Sequence, residues 1–317
     1  GLRCMFQMMN EARIGVGMGA AAMATAAYYA ALEYSKTRLQ GRKLSHKDPN
    51  LPPVPIIEHA DVKRMLLFQR AVIEGAQSLL MHCSKLVDFQ KVLDGETKEK
   101  HHLLLEILTP VAKSYPSEMG IQSISQGLQC LGGSGYCDDY PLDQYYRDCR
   151  IHPIHEGTTG IQGMDLLGRK VIMNNGQAFL LYINEVRDTI AAAREFEVLE
   201  KFANGLNESQ TKLQEVTQHL ISIAGQDGPE AFLADATLYL EFFGIITIAW
   251  QWLLQGIAVQ KALNNGARKK DLDFYAGKMF TLRYFFGYEL PKTEGLVKRL
   301  LDDDRLTVEM QTDYFND

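Results

Sequence analysis

The stretch Leu128-Gln129-Cys130-Leu131-Gly132-Gly133-Ser134-Gly135-Tyr136 decides how the rest of the chain is read. A glycine cluster of this kind can open a nucleotide-binding turn, but that turn needs a strand before it and a helix after it. Here the preceding residues, Glu99 to Leu131, carry a helical pattern with Pro110 and Pro116 as expected kinks or boundaries, and an irregular segment follows. The glycines therefore end a helix. No stretch of the chain alternates convincingly as a strand, so the predicted fold class is all-α.

Working outward, Arg3 to Gln40 is rich in Ala and Met, contains no Pro, and predicts a long helix. Its Gly15, Gly17 and Gly19 each weaken a helix by roughly 1 kcal/mol relative to Ala, which calls for a closely approaching neighbour. Gly41 to Pro55, with Asp48-Pro49 and Pro52-Pro53, reads as a loop. A second long helix runs from about Val62 to Asp94-Gly95. Downstream, Thr159-Gly160-Ile161-Gln162 has capping-box spacing, with Thr159 as the expected cap, and its helix closes near Asn174-Asn175-Gly176. Further helices are expected over about Ala178–Ala203, Leu206–Ala224, Pro229–Leu263 and Leu272–Tyr288. The chain thus divides into two helical units near Asn174. Leu238 to Val259 is long and apolar enough to span a bilayer, but Gln251, Gln255 and its glycines favour a helix buried in protein, and no stable membrane insertion is expected.

Composition narrows the function classes. The formal charge of -6 and pI near 5.8 oppose binding to nucleic acid, which is driven by Lys and Arg neutralising phosphates. The 5 cysteines include no C-x-x-C pair, arguing against a disulfide framework or thiolate zinc site and for a reducing, cytoplasmic setting. His101, His102, His152 and His155 lack the spacing of a metal site, so no metal is expected. Neither a G-x-S-x-G elbow nor a P-loop is present. The opening residues already read as helix, without an export signal or a leading loop, so an upstream portion of the natural polypeptide is expected to be missing here.

The densest cluster of polar groups is Arg147-Asp148-Cys149-Arg150-Ile151-His152-Pro153-Ile154-His155-Glu156-Gly157-Thr158-Thr159. Glu156 falls just before a helix start, and Gly157 lets a ligand come close to the backbone. On its own, Glu156 reads more readily as an electrostatic partner of that helix terminus than as a catalyst.

Order and combination go further. Gln129-x-x-Gly132-Gly133-x-Gly135-Tyr136, then Tyr140-Pro141, Arg147-Asp148 and Glu156-Gly157-Thr158 closely resemble the acyl-CoA dehydrogenase family. Asn10-Glu11-Ala12-Arg13 and the small-residue helix to Arg38 are similar to that family's first C-terminal-domain helix. The resemblance covers about residues 1–170, and the rest looks like the extension of the branch that includes methylthiopropionyl-CoA dehydrogenases. It implies a four-helix bundle over 1–174 and a helical extension domain over 175–317.

The same resemblance implies chemistry: an FAD-dependent acyl-CoA dehydrogenase forming the 2,3-enoyl-CoA, with Glu156 as the base that removes the α-proton. A carboxylate of ordinary strength is weak against such a carbon acid, so a dry acyl pocket is implied around it. Arg38, Gln129 and Gly133 match positions that reach FAD across a subunit interface. Gln40 and Gly132 belong to the same two segments, and Thr158 matches a position beside the flavin of its own site. Asn10, Arg13 and Gly157 fall on the acyl-CoA side. A homodimer or homotetramer, with an electron-transfer flavoprotein as electron acceptor, completes the expectation. An acyl-CoA oxidase and a catalytically silent helical oligomerisation module are the alternatives. The sequence departs from the family's usual pattern at Leu39-Gln40-Gly41, at Ala60 after Glu58-His59, and at Gly160.

Overall fold

The computed structural model describes residues 2–45, 48 and 50–316, with side chains from residue 9 onward; the Cys4 side chain and Pro49 lie outside the described residues. Among these residues there is no strand, and an isolated antiparallel bridge joins Leu39 to Pro55. The protein is all-α.

Three long helices, α1 (Leu2–Thr37), α2 (Ala60–Val92) and α3 (Gly95–Leu131), form most of the first bundle. On α1 the stripe Ala20, Ala24, Ala27 and Ala31 is fully buried against a core that includes Ile73, Ile124 and Leu131. Side chains this small let the helices approach closely, and the glycines mark where the approach is tightest. A Cβ on Gly17 would lie 2.0 Å from the Ala112 carbonyl oxygen of α3, and one on Gly19 would lie 2.8 Å from Nε2 of His152. Nothing lies within 4 Å of Gly15, and the structure gives no packing reason for it.

Pro110 and Pro116 were expected to bend or bound the third helix, yet α3 runs through both. Each proline removes the N–H that would bond the carbonyl four residues earlier, which for Pro116 is Ala112. That freed carbonyl is the one Gly17 meets. Both prolines are buried, and packing outweighs the lost helical bond.

After α4 (Leu142–Cys149) and an irregular loop, α5 (Thr159–Asp165) continues through a π-turn at Leu166–Lys170 and closes the first bundle. The expected stop appears as three consecutive left-handed residues, Asn174, Asn175 and Gly176, at the start of α6 (Met173–Ala193). Beyond α6 come α7 (Glu200–Gln226), α8 (Gly228–Leu233), α9 (Ala236–Asn264), α10 (Leu272–Tyr284), α11 (Thr293–Leu300) and α12 (Leu306–Glu309). Boundaries differ from the sequence reading, beginning with the segment expected as one helix over Ala178–Ala203, which breaks after Ala193 and resumes at Glu200. Asn204-Gly205, expected to separate two helices, lies inside α7, where the open side of Gly205 accommodates Phe286 and Leu290. The Pro229–Leu263 segment is split at Ala234-Asp235 into α8 and α9.

The apolar α9 is a core helix. Phe242, Phe243, Ile246, Ile248 and Trp252 are fully buried. The Trp252 indole N–H donates to the Ala71 carbonyl of α2 at 3.0 Å, and a Cβ on Gly75 would come within 2.5 Å of Ile248. One continuous apolar core therefore joins α2 and α3 to α6, α7 and α9.

Lys113 is the exception within this core. It is fully buried, its ammonium has no hydrogen-bond partner, and burial pushes its pKa down to about 8 against the pull of Glu118 and Glu156. Between about 8 and 10.5 the unfolded chain holds a proton that the folded chain has lost, so this group makes stability rise with pH across that window. Lys113→Met should therefore be more stable than wild type below pH 8, and the difference should shrink toward pH 10.5. Denaturant unfolding of both proteins across this range checks it; a variant less stable at every pH would contradict the assignment.

Candidate active site

The end of α1, the start of α2 and the end of α3 enclose a cleft of about 670 Å³. Arg38, Gln40, Gln129, Gly132 and Gly133 all line it. Five positions drawn from two distant segments of the sequence thus meet in one concavity.

Local geometry explains how. Arg38 follows the last turn of α1, and the bridge to Pro55 fixes the strand-like segment after it: Ile56 N–H donates to the Arg38 carbonyl at 2.8 Å, and Gln40 N–H to Val54 at 3.0 Å. His59 Nε2 lies 2.7 Å from the Gln40 carbonyl. Its ring also comes within 3.3 Å of where a Cβ on Gly41 would be, and Gly41 has φ +70°. Gly41, a departure from the family pattern, is therefore suited to this turn. On the other wall α3 ends at Gly132, whose φ of 59° and ψ of -138° suit glycine alone. Arg38 and Gln129 are exposed and available to a ligand. Tyr34, Ile56, Val62 and Ser134 also line the cleft and were not identified from the sequence as site residues. Tyr34 stands one helical turn before Arg38, a spacing that would have pointed to it.

The second group of residues sits on the loop before α5. Glu156 is exposed and has φ 55°, the left-handed region uncommon for a residue with a side chain, and Gly157 follows at φ 90°. The loop is held from below by Gln162, fully buried, whose Nε2 donates to the carbonyls of Glu156 at 3.2 Å and Gly157 at 3.5 Å. The helix cap is one residue earlier than expected: Thr158 accepts the Ile161 N–H at 3.4 Å, while the Thr159 hydroxyl donates to Glu118 on α3. Gln162 thus serves the loop carbonyls and not the helix N–H groups.

His152 and Lys113 lie beneath this loop. Buried His152 packs edge-on against His155, and burial, His155 and Lys113 together lower its pKa, which keeps it neutral. The Lys113 ammonium feels both Glu118 and Glu156. Glu156 is exposed, and among the described residues no dry enclosure surrounds it.

Asn10 and Arg13 are placed differently from the other substrate-side residues. Arg13 is 5% exposed and donates to Asp165 at 3.0 Å, while Asp165 also takes Arg169 at 2.6 Å. Asn10 donates to Glu106, which pairs with the buried Lys170. These pairs bind α1 to α3 and α5. Burial of the Arg13 guanidinium favours an internal strut over the expected contact with the CoA portion.

Glu118, bonded to Thr159, and Gln129, in the cleft, are 11 residues apart on α3. At 1.5 Å per residue that is roughly 16 Å, so the Glu156 loop and the Arg38 cleft are two separate places on one chain.

Residues 1–171 match the family model described as the acyl-CoA dehydrogenase C-terminal domain, and residues 182–311 match the one described as acetyl-CoA dehydrogenase C-terminal like. The 3-methylmercaptopropionyl-CoA dehydrogenase of Ruegeria pomeroyi is 33% identical over 98% of this chain and 52% of its own length. A butyryl-CoA dehydrogenase of Syntrophomonas wolfei is 32% identical over 99% of the chain and 51% of its own. The chain spans about half the length of these relatives. Among solved structures, an acyl-CoA dehydrogenase of Bacillus anthracis complexed with FAD superposes with a TM-score of 0.73 at 17% identity, over 97% of this chain and 52% of that one. Fold, site pattern and relatives agree: the chain belongs to the acyl-CoA dehydrogenase family and carries its C-terminal helical domain.

Proposed function

We propose that the chain forms part of an FAD-dependent enzyme that oxidises an acyl-CoA to the 2,3-enoyl-CoA. The observation that carries this reading is the meeting of Arg38, Gln40, Gln129, Gly132 and Gly133 in one cleft. That convergence supports an anionic, planar ligand: Arg38 supplies a fixed cation for a diphosphate, Gln129 a hydrogen-bonding amide, and the glycine turn leaves its backbone approachable. These residues would hold FAD, which when bound accepts the hydride from the β-carbon.

Glu156 takes the α-proton onto its carboxylate. Its left-handed backbone and the Gln162 clamp on the loop support a side chain held at a set angle away from α5. Backbone strain of this kind costs on the order of 1–3 kcal/mol and persists where the surroundings enforce it.

The separation of roughly 16 Å along α3 between the two places supports a composite site. One copy supplies the Arg38 cleft and a second supplies the Glu156 loop, so a homodimer or homotetramer is the working unit. Electrons then pass to a protein acceptor such as an electron-transfer flavoprotein, in the cytoplasm.

In the full-length enzyme, Arg38→Ala should weaken FAD retention by about ten- to a hundredfold, since hydrogen bonds to charged groups contribute about 1.5–3 kcal/mol, and flavin-saturated turnover should change less. Flavin titration after apoenzyme preparation measures it; unchanged affinity would remove Arg38 from the site. Glu156→Gln keeps size and hydrogen-bonding shape, so folding, flavin content and acyl-CoA binding should persist while flavin reduction slows by about 10²–10⁴-fold or more. Anaerobic stopped-flow bleaching on mixing with acyl-CoA gives the rate. If the variant bleaches within a few-fold of wild type, Glu156 is only a helix-terminus charge.

A further inference from the structure

A second cleft, of about 510 Å³, opens between α3, α5, α9 and the turn Phe285–Lys292 that follows α10, with Glu118 and Thr159 at its border. It shares no residue with the Arg38 cleft and does not include Glu156. Its size lies within the usual range for small-molecule sites.

The floor is apolar, made by the buried side chains of Phe68, Val111, Leu240 and Ile245. Two hydroxyls interrupt it. Ser114 and Tyr115 are 3% and 7% exposed, both line the cleft, and neither hydroxyl has a hydrogen-bond partner. A buried hydroxyl left unsatisfied is costly, and native proteins seldom keep one without a use. Glu289, also buried, lines the same cleft, and burial first and this carboxylate second raise the Tyr115 pKa. One Glu289 oxygen accepts from Lys292 at 2.6 Å, leaving further lone pairs on the carboxylate.

The mouth settles the charge of the occupant. Exposed Glu118 and Glu241 stand there, and the nearby cation, Lys292, is already paired with Glu289. Burial holds the Glu241 pKa above the usual carboxylate range, as expected for a group in a poorly solvated rim. An anion would meet repulsion at the mouth and no free cation inside. A head group that both accepts from two hydroxyls and donates to a carboxylate meets every polar group on the floor.

We propose that this cleft is a second small-molecule site, taking an uncharged aliphatic ligand whose primary amide or alcohol head sits on Ser114, Tyr115 and Glu289 while its chain lies on Phe68, Val111 and Leu240.

The test uses the full-length flavin-loaded protein and octanamide as probe, with octanoate as its anionic counterpart, followed by calorimetric titration. Octanamide should bind at least about tenfold tighter than octanoate. The double variant Ser114→Ala/Tyr115→Phe should lose about tenfold in octanamide affinity, as expected for two hydrogen bonds of about 0.5–1.5 kcal/mol each. Because neither hydroxyl bonds the protein, the variant should melt at or above the wild-type temperature, which separates lost binding from lost folding. Equal affinity for octanoate, unchanged octanamide affinity in the variant, or no octanamide binding at all would each overturn the proposal. Competition between octanamide and acyl-CoA would also overturn it, by assigning the cleft to the substrate site.

Discussion

The contact between Gly17 of α1 and the Ala112 carbonyl of α3 is the constraint on which the rest of the structure depends. Pro116 takes away the helical donor of that carbonyl, and a residue without a side chain fills the place beside it. A Cβ there would overlap the oxygen, so the distance between the two helices is set by backbone and not by adjustable side chains. Two residues further along lies His152 against Gly19, and one turn back lies Arg13 against Asp165. The loop carrying Glu156 is anchored between these two contacts, by His152 on one side and Asp165 on the other. Its position is therefore a consequence of how closely α1 lies on α3.

Charge follows from the same packing. Closing the helices this tightly traps Lys113 without a hydrogen-bond partner, and Arg13, Lys170 and His152 are buried nearby in the first bundle. Arg13 and Lys170 are compensated by Asp165 and Glu106, pairs that hold α1, α3 and α5 in register but whose desolvation offsets much of their attraction. Lys113 has only the longer-range influence of Glu118 and Glu156. The region under the loop is thus electrostatically loaded while remaining closely packed.

Much of the fold was legible because its punctuation is chemical. Pro-rich residues 51–55, the glycines after Leu131 and Asn174-Asn175-Gly176 each impose a backbone that a helix cannot continue through. What escaped the sequence reading has equally physical causes. A proline buried on all sides can stay in a helix, as in α3, because packing repays the lost bond. Asn-Gly at 204–205 stays in α7, flanked by buried Ala203 and Leu206, which pack the helix into the core. Thr158 and Thr159 are both competent caps, and only the bond from Thr159 to Glu118, 41 residues away, decides between them. The Arg38 cleft was legible through the order of its motifs. Its apolar wall of Ile56 and Val62 was not, since such residues look like any buried helix face. The pairing of Arg13 with Asp165 was not legible either, because a guanidinium does not announce in sequence which carboxylate it meets.

The seating of Ile248 and Trp252 of α9 on Gly75 and Ala71 of α2 bears on how copies of this protein can meet. Within the same polypeptide α9 covers the α2 and α3 side of the first bundle. A face roofed over by its own chain is closed to a neighbour. The later half of the chain therefore withdraws that face of α2 from contact with any other molecule.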